Sequence, residues 1–303
     1  MKCFRSVMRA ALIGVMLLSV SAVAGRGQEE TKTYQGIESI RLSTVSGDCI
    51  IQKGTGTDVT VEVVSSYEPR DSFEPIFNDR GKVLKLSEEM YGSNSGRSTW
   101  TLTVPDSIEI SFNSASGNLE LAELQGEFSA ETASGDINAE DCGGKLELSS
   151  ASGSIDLRNC AGDVRVSAAS GDIRLTECSG EFEVSSASGD VDVDGVMLKE
   201  SGSFSSASGN VLVILAATPE YDLSVGSASG DATLNYNGNP LIGRFEFTAS
   251  YRHGHISAPV TFDGEDRYER HGDRYVSKWF TKGPETPLIS LSTGSGEAVL
   301  LEN

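Results

Sequence analysis

A Ser-Gly dipeptide recurs along the chain on a fixed clock, and no other feature restricts the fold as much. It stands at Ser46-Gly47, Ser116-Gly117, Ser134-Gly135, Ser152-Gly153, Ser170-Gly171, Ser188-Gly189, Ser208-Gly209, Ser229-Gly230 and Ser295-Gly296. The glycines from Gly117 to Gly189 step by 18 residues; the next steps are 20 and 21, and the first and last repeats stand off by 70 and 66. Apolar residues keep the same time. Seven residues before the glycine lie Ile40, Ile110, Phe128, Leu146, Val164, Phe182, Leu223 and Ile289, and two after it lie Cys49, Leu119, Ile137, Ile155, Ile173, Val191, Val211, Ala232 and Ala298. The positions five before and four after are apolar throughout. Only Gly202 breaks the four columns, where a two-residue insertion around Gly195–Gly202 shifts the frame.

Within each repeat the alternation has period 2, as in Asp136-Ile137-Asn138-Ala139-Glu140, which is the pattern of a strand with one buried face. Each unit of 18 residues therefore holds two short strands and two turns. Glycine is expected at the corners for its positive φ, with Ser or Asp bonding the local backbone. One unit cannot enclose a core, but units stacked at about 4.8 Å do. The sequence predicts an all-β chain: a parallel β-solenoid of short two-strand coils, with seven contiguous coils rising roughly 34 Å. All eight prolines lie outside residues 106–218, as the loss of a ladder hydrogen bond requires.

The flanks depart from the clock but still read as strands, at Val59–Val63, Val83–Leu86, Thr99–Val104 and Arg244–Tyr251, followed by a polar loop over 263–274 that mixes both charge signs and reads as a mobile surface hairpin rather than a binding site. The expected organisation is a signal peptide over 1–24, a β-rich N-terminal cap with the first coil over 25–105, regular repeats over 106–235, and a C-terminal β cap with the polar loop and last coil over 236–303. Such caps cover the open ends of a solenoid.

Residues 1–9 carry Lys2, Arg5 and Arg9 without an acid, and the apolar run 10–24 ends in Ala22-Val23-Ala24. A basic start, a short apolar stretch and a small-residue cleavage site predict an export signal cut after Ala24. Cys3 lies within it and so is not a lipid anchor of the mature chain. No later apolar stretch is long enough to span a bilayer, so no membrane span is expected after cleavage. The net charge of −20, from 44 acidic and 24 basic residues, argues against nucleic acid as a partner and against charge-driven binding to anionic lipid.

Several residue types were weighed as sites. Cys142, Cys160 and Cys178 step by 18 and form one column between Leu124 and Val196, which predicts an inward ladder of small apolar side chains. A disulfide is disfavoured because the rung spacing exceeds the usual Cβ separation of about 3.8 Å, and a linear stack of thiolates lacks a tetrahedral zinc cage. Cys49 stands alone in a core column. Asp48, Asp136, Asp172, Asp190 and Asp231, with Asn118 and Asn210, follow the turn glycine and read as solvent-facing turn residues. Asp190, Asp192 and Asp194 share an outward face and make the best acidic patch for calcium. His253 and His255 are expected on one side of a strand end, and His271 completes the histidines. The recurring Ser is a turn residue rather than a nucleophile, since no nucleophile elbow or triad is evident. The prediction is no catalytic residue, no cofactor and no metal site.

The opening Thr44–Asp48 coil, the many SASGD and SASGN coils and the closing Ser292–Glu297 coil resemble a large bacterial envelope family, the adhesin-like β-strand-repeat domain of unknown function. The resemblance covers nearly all of the expected mature chain. It implies a β-solenoid in a cell-envelope setting and brings no catalytic residues. Its adhesin label rests on likeness to the heads of bacterial surface adhesins, which is fold analogy. The expected function is thus a non-enzymatic exported protein, in the periplasm or at the cell surface, that binds an envelope or surface protein or a glycan, or acts as a structural spacer. The alternatives are a periplasmic envelope-stress accessory acting by protein contact and, further off, a carbohydrate-active β-helix enzyme. Charged outward columns disfavour ice binding.

Overall fold

The computed structural model describes residues 28–270 and 272–303, so the expected signal peptide, Cys3 and His271 lie outside the described residues. The chain is a parallel β-solenoid with two sheet faces. Each regular rung contributes an eight-residue strand to one face, as in Gln125–Thr132, Gly143–Ser150, Ala161–Ala168 and Ser179–Ser186. It contributes a four-residue strand to the other, as in Ile137–Glu140, Ile155–Arg158 and Ile173–Thr176. The register is the sequence clock itself: Phe128, Leu146, Val164 and Phe182 pair in one column, and Leu119, Ile137, Ile155, Ile173 and Val191 in another. These side chains are buried between the two faces, where period 2 turns every second residue inward.

The outlying repeats are not detached. Ser39–Thr44 pairs in parallel with Ile108–Ser114, and Leu223–Ser227 with Leu288–Thr293, so the first and last Ser-Gly coils stack directly on the regular ones. The intervening segments add one further rung at each end. Val83–Met90 and Ser98–Val104 lie outside the first coil, with Leu84 beside Ile40 and Trp100 beside Cys49. Gly243–Ser250 and His255–Ser257 lie outside the last coil, with Phe245 beside Ile289 and Ile256 beside Ala298. Antiparallel strands then cover these rungs: Phe73–Arg80, Val59–Ser65 and Gln28–Tyr34 at one end, and Asp273–Lys282 and Gly264–Arg270 at the other. The outermost strands, QEETKTY and GEDRYER, are rich in charge, which discourages further strands from adding to the edge. Bulk closes the core at both ends. Trp100 packs against Phe77, and Phe245, Phe247, Phe262 and Phe280 form one aromatic cluster.

Three local expectations are corrected. The polar segment is the expected surface hairpin but not a loop: Gly264–Arg270 and Asp273–Lys282 pair antiparallel, because their alternating side chains continue the sheet begun at Gly243–Ser250. His253 sits in the turn Tyr251–His253 and only His255 is on a strand, so the two do not form a His-x-His face. At the Ser-Gly corner the glycines do not need positive φ. They are required because a Cβ on Gly153, for example, would fall on the carbonyl oxygen of Gly135 in the rung below. Positive φ occurs at the opposite corner, where Gly126, Gly144, Gly162 and Gly180 take it as expected, at 105–150°, and the non-glycine residues Glu123, Asp141, Asn159 and Glu177 take it as well, at 51–57°. The insertion near Gly202 is a bulge between Gly180 and Phe182 on one side and Leu198 and Gly202 on the other. The Leu198 side chain packs where a Cβ of Gly202 would stand, 2.8 Å from that point, and fills the missing core position.

Candidate functional site

The polar residues of the repeat are engaged in the stack. Three residues before the corner glycine runs a hydroxyl column: Thr44, Ser114, Thr132, Ser150, Ser186, Ser206, Ser227 and Thr293. From Ser114 onward each hydroxyl accepts the N–H of the glycine three residues on, as Gly189 N gives to Ser186 Oγ at 2.9 Å. From Thr132 onward each donates to the glycine carbonyl of the preceding rung, as Ser186 Oγ does to Gly171 O at 3.2 Å. Ala168 alone interrupts the column. At the N-terminal end Thr44 Oγ1 donates to Ser114 Oγ and to its own Gly47 O. The carboxylate of Glu88 caps the corner beyond, accepting from Val45 N and Trp100 Nε1 at 2.9 Å each and from the Ser98 hydroxyl. The signal for this column, a Ser or Thr at a constant offset, was in the sequence beneath the more conspicuous Ser-Gly. The serine next to glycine, by contrast, is exposed in the regular coils.

The Asx residues after the glycine do the same work on the outside. Asp48, Asn118, Asp136, Asp172, Asp190, Asn210 and Asp231 each accept, through Oδ1, the backbone N–H of the corresponding residue in the next rung, at 2.7–3.0 Å. Asn118, Asp136, Asn210 and Asp231 face solvent as expected, and all seven act in addition as clamps between rungs. Asp190 is thereby engaged, while Arg174 lies 3.9 Å from Asp192. Burial, opposed by Arg174 and reinforced by Asp190 and Asp172, holds the Asp192 carboxyl above its usual range. Among the described residues no group of three or more His, Cys, Asp or Glu side chains is arranged to hold a metal ion.

The cysteine column lies in the core as expected. Cys49, Cys142, Cys160 and Cys178 are free thiols, each 1% exposed. The three stacked sulfurs donate to backbone carbonyls, Cys142 to Glu140, Cys160 to Arg158 and Cys178 to Thr176. Burial pushes the Cys49 thiol well above its ordinary value, and the neighbouring Cys160 together with burial does so for Cys142. Neither supplies a thiolate nucleophile at neutral pH.

The outward faces carry charge in alternating sign up the ladder. Arg165 lies 2.9 Å from Asp163, 3.5 Å from Glu183 and 3.7 Å from Glu147. Such exposed pairs each add little stability, but they hold long side chains in fixed rows on a rigid plane.

The C-terminal hairpin provides a different kind of surface, a cleft of about 320 Å³ lined by Tyr251, Arg267, Tyr268, Glu269, Arg274 and Tyr275. In register, Tyr251 stands beside Arg274, Arg274 opposite Glu269, and Arg267 opposite Val276. These side chains share the face that turns, further along the same strand, into the core through Phe280. Tyr268 and Tyr275 pair on the opposite face with ring centroids 5.7 Å apart. The guanidinium of Arg267 lies 5.1 Å from the Tyr251 ring centroid and bonds Glu265 at 2.9 Å.

The profile of the Toastrack DUF4097 family matches residues 37–242. No curated protein matches the chain. Among solved structures, a candidate adhesin from Bacteroides fragilis is 16% identical over 90% of this chain and 97% of its own, with a TM-score of 0.43. A candidate cell adhesion protein from Clostridium sporogenes is 14% identical over 90% and 98%, at 0.24. A candidate adhesin from Parabacteroides merdae is 12% identical over 91% and 96%, at 0.27. TM-scores this low leave the fold to be read from the chain's own registers.

Proposed function

The chain belongs to the Toastrack DUF4097 family, an adhesin-like β-repeat domain of unknown function, and from that premise we propose that it is an exported, non-enzymatic envelope protein that acts by binding over a rigid surface. One observation carries this reading. The hydroxyl and Asx groups that recur in most repeats are engaged in hydrogen bonds between rungs, so the motif that dominates the sequence builds a scaffold rather than a reaction centre. A scaffold of this kind presents fixed rows of side chains and loses little conformational entropy when a partner docks. Its negative charge favours a protein or glycan partner over nucleic acid or an anionic bilayer. Among the described residues no helix is long and apolar enough to cross a membrane.

The test is protease shaving of intact cells, with an immunoblot for the chain and a periplasmic marker as control. Loss of the chain while the marker survives supports display at the surface. Survival until the outer envelope is opened refutes surface display and turns the search to periplasmic partners, the accessory role.

A further inference from the structure

We propose that the C-terminal cleft is a binding site for a carboxylated sugar residue, held by the Arg274 and Arg267 guanidinium groups against the ring of Tyr251. This deepens the binding role proposed above and supplies the chemical class of its ligand. Four features of the cleft point the same way.

First, Arg274 is an unneutralised cation in an acidic protein. The chain has 44 acidic residues for 24 basic ones. Arg165, Arg174, Arg244 and Arg267 lie within 4.0 Å of a carboxylate; among the described residues none lies that close to Arg274, as at Arg158 and Arg252, although here Glu269 is directly opposite in register and the side chain lines the cleft. A guanidinium fork left open in this way is matched by a planar carboxylate, which it binds through two parallel N–H donors.

Second, the neighbouring Arg267 is fixed. Glu265 holds it at 2.9 Å, and Glu265 is itself 3.7 Å from Lys278. Its guanidinium is therefore positioned beside Tyr251 without waiting for a ligand, which lowers the ordering cost of binding.

Third, Tyr251 is 49% exposed in spite of that contact. An aromatic ring open on one side offers an apolar plane with a polar tip, which suits the C–H face of a pyranose and its hydroxyls. Glu269, in the same row, is an acceptor for those hydroxyls.

Fourth, the size fits one sugar ring. A volume of about 320 Å³ is at the small end of ligand sites. The cleft also sits at the end of the solenoid, on a sheet rooted in the aromatic cluster of Phe245, Phe247 and Phe280, so its walls are supported by the core.

The experiment is a ligand-observed NMR titration of the full mature chain with methyl glucuronide, using methyl glucoside as the neutral ring and inorganic phosphate as the bare anion. The expected result is binding of the glucuronide, with both controls at least about tenfold weaker. Arg274→Gln and Tyr251→Ala should each weaken the glucuronide by about tenfold or more, and Arg274→Lys, which keeps the charge without the fork, by an intermediate factor. Both side chains changed are exposed, so melting curves of the three variants should overlay the parent, and Arg274→Lys remains informative if one of the others unfolds. Equal binding of the glucoside overturns the role of the carboxylate. Equal binding of phosphate overturns the role of the ring. Absence of glucuronide binding, or variants that bind like the parent, overturns the site. None of these outcomes depends on whether cells display the chain to protease, so failure of the ligand and failure of the envelope reading are separable.

Discussion

The hydroxyl column makes a paired prediction of opposite sign at two adjacent rungs. Ser186 is buried; its Oγ accepts from Gly189 N at 2.9 Å and donates to Gly171 O at 3.2 Å. Ser186→Ala removes both bonds and leaves a buried N–H and a buried C=O without partners. At roughly 1–1.5 kcal/mol for each such group, the loss is about 2–3 kcal/mol. One rung earlier nature has made the same change: Ala168 occupies the column, and among the described residues neither Gly171 N nor Gly153 O has a backbone or side-chain partner there. Ala168→Ser restores the hydroxyl in a position that serine and threonine occupy in neighbouring rungs, so the gain should be about 1 kcal/mol. For a chain of this length, 1 kcal/mol moves the melting temperature by about 2–4 °C. Ser186→Ala should thus melt roughly 4–12 °C below the parent and Ala168→Ser slightly above it. Repeat arrays unfold in segments, so the global transition is paired with amide exchange at Gly189 and Gly171. Exchange should speed up at Gly189 in the first variant and slow at Gly171 in the second. If Ala168→Ser lowers stability, or Ser186→Ala leaves it unchanged, the column is not a stabilising ladder and the account of the repeat fails.

Further expectations follow from the same geometry. Gly153→Ala places a Cβ on the Gly135 carbonyl, so circular dichroism should show loss of folded protein or a melting point lowered by far more than the propensity cost of about 1 kcal/mol; a parent-like melt would show that the rungs can spread. Ile155→Asp buries an unpaired charge in a fully enclosed column and should prevent stable folding, whereas unchanged melting would place Ile155 outside the core. Glu88→Ala strips the buried Trp100 indole of its acceptor and should cost about 2 kcal/mol, read from the near-ultraviolet signal of Trp100 as much as from the melt. Cys49, Cys142, Cys160 and Cys178 should resist a thiol reagent in the native state and all react in denaturant, and prompt native labelling would contradict their burial. Millimolar calcium should leave the melting temperature unmoved, because the Asx carboxylates already accept backbone N–H groups; an upward shift would mean that they are free to take a cation.

The repeat made the scaffold legible. A period of 18 with period-2 alternation fixes which residues face inward, since a single-residue slip would turn the core outward at every rung. It also brings Cys142, Cys160 and Cys178 into one buried column. Composition contributed the charge argument, and the absence of proline from residues 106–218 marked where the ladder runs in its regular form. The sequence did not disclose that the coils at Gly47 and Gly296 stack directly on the regular array, because the segments of 70 and 66 residues between glycines conceal contacts that form only when the chain loops out and returns. Nor did it show why the corner glycines are obligatory: the reason is a carbonyl one rung away, not the glycine's own φ. The Asx clamps and the hydroxyl bonds to the preceding rung likewise join residues 15–21 apart or more and are set by stacking, while only the hydroxyl's bond to the glycine three residues on is local turn chemistry. The cleft is the extreme case. Tyr251 and Arg274 are 23 residues apart and meet only because the segment read as a polar loop is a hairpin on the end rung. Local pattern thus determined what each repeat is, while the tertiary fold alone decided what the interruptions build, because an edge strand's partners are chosen by the surface left open and not by its own sequence.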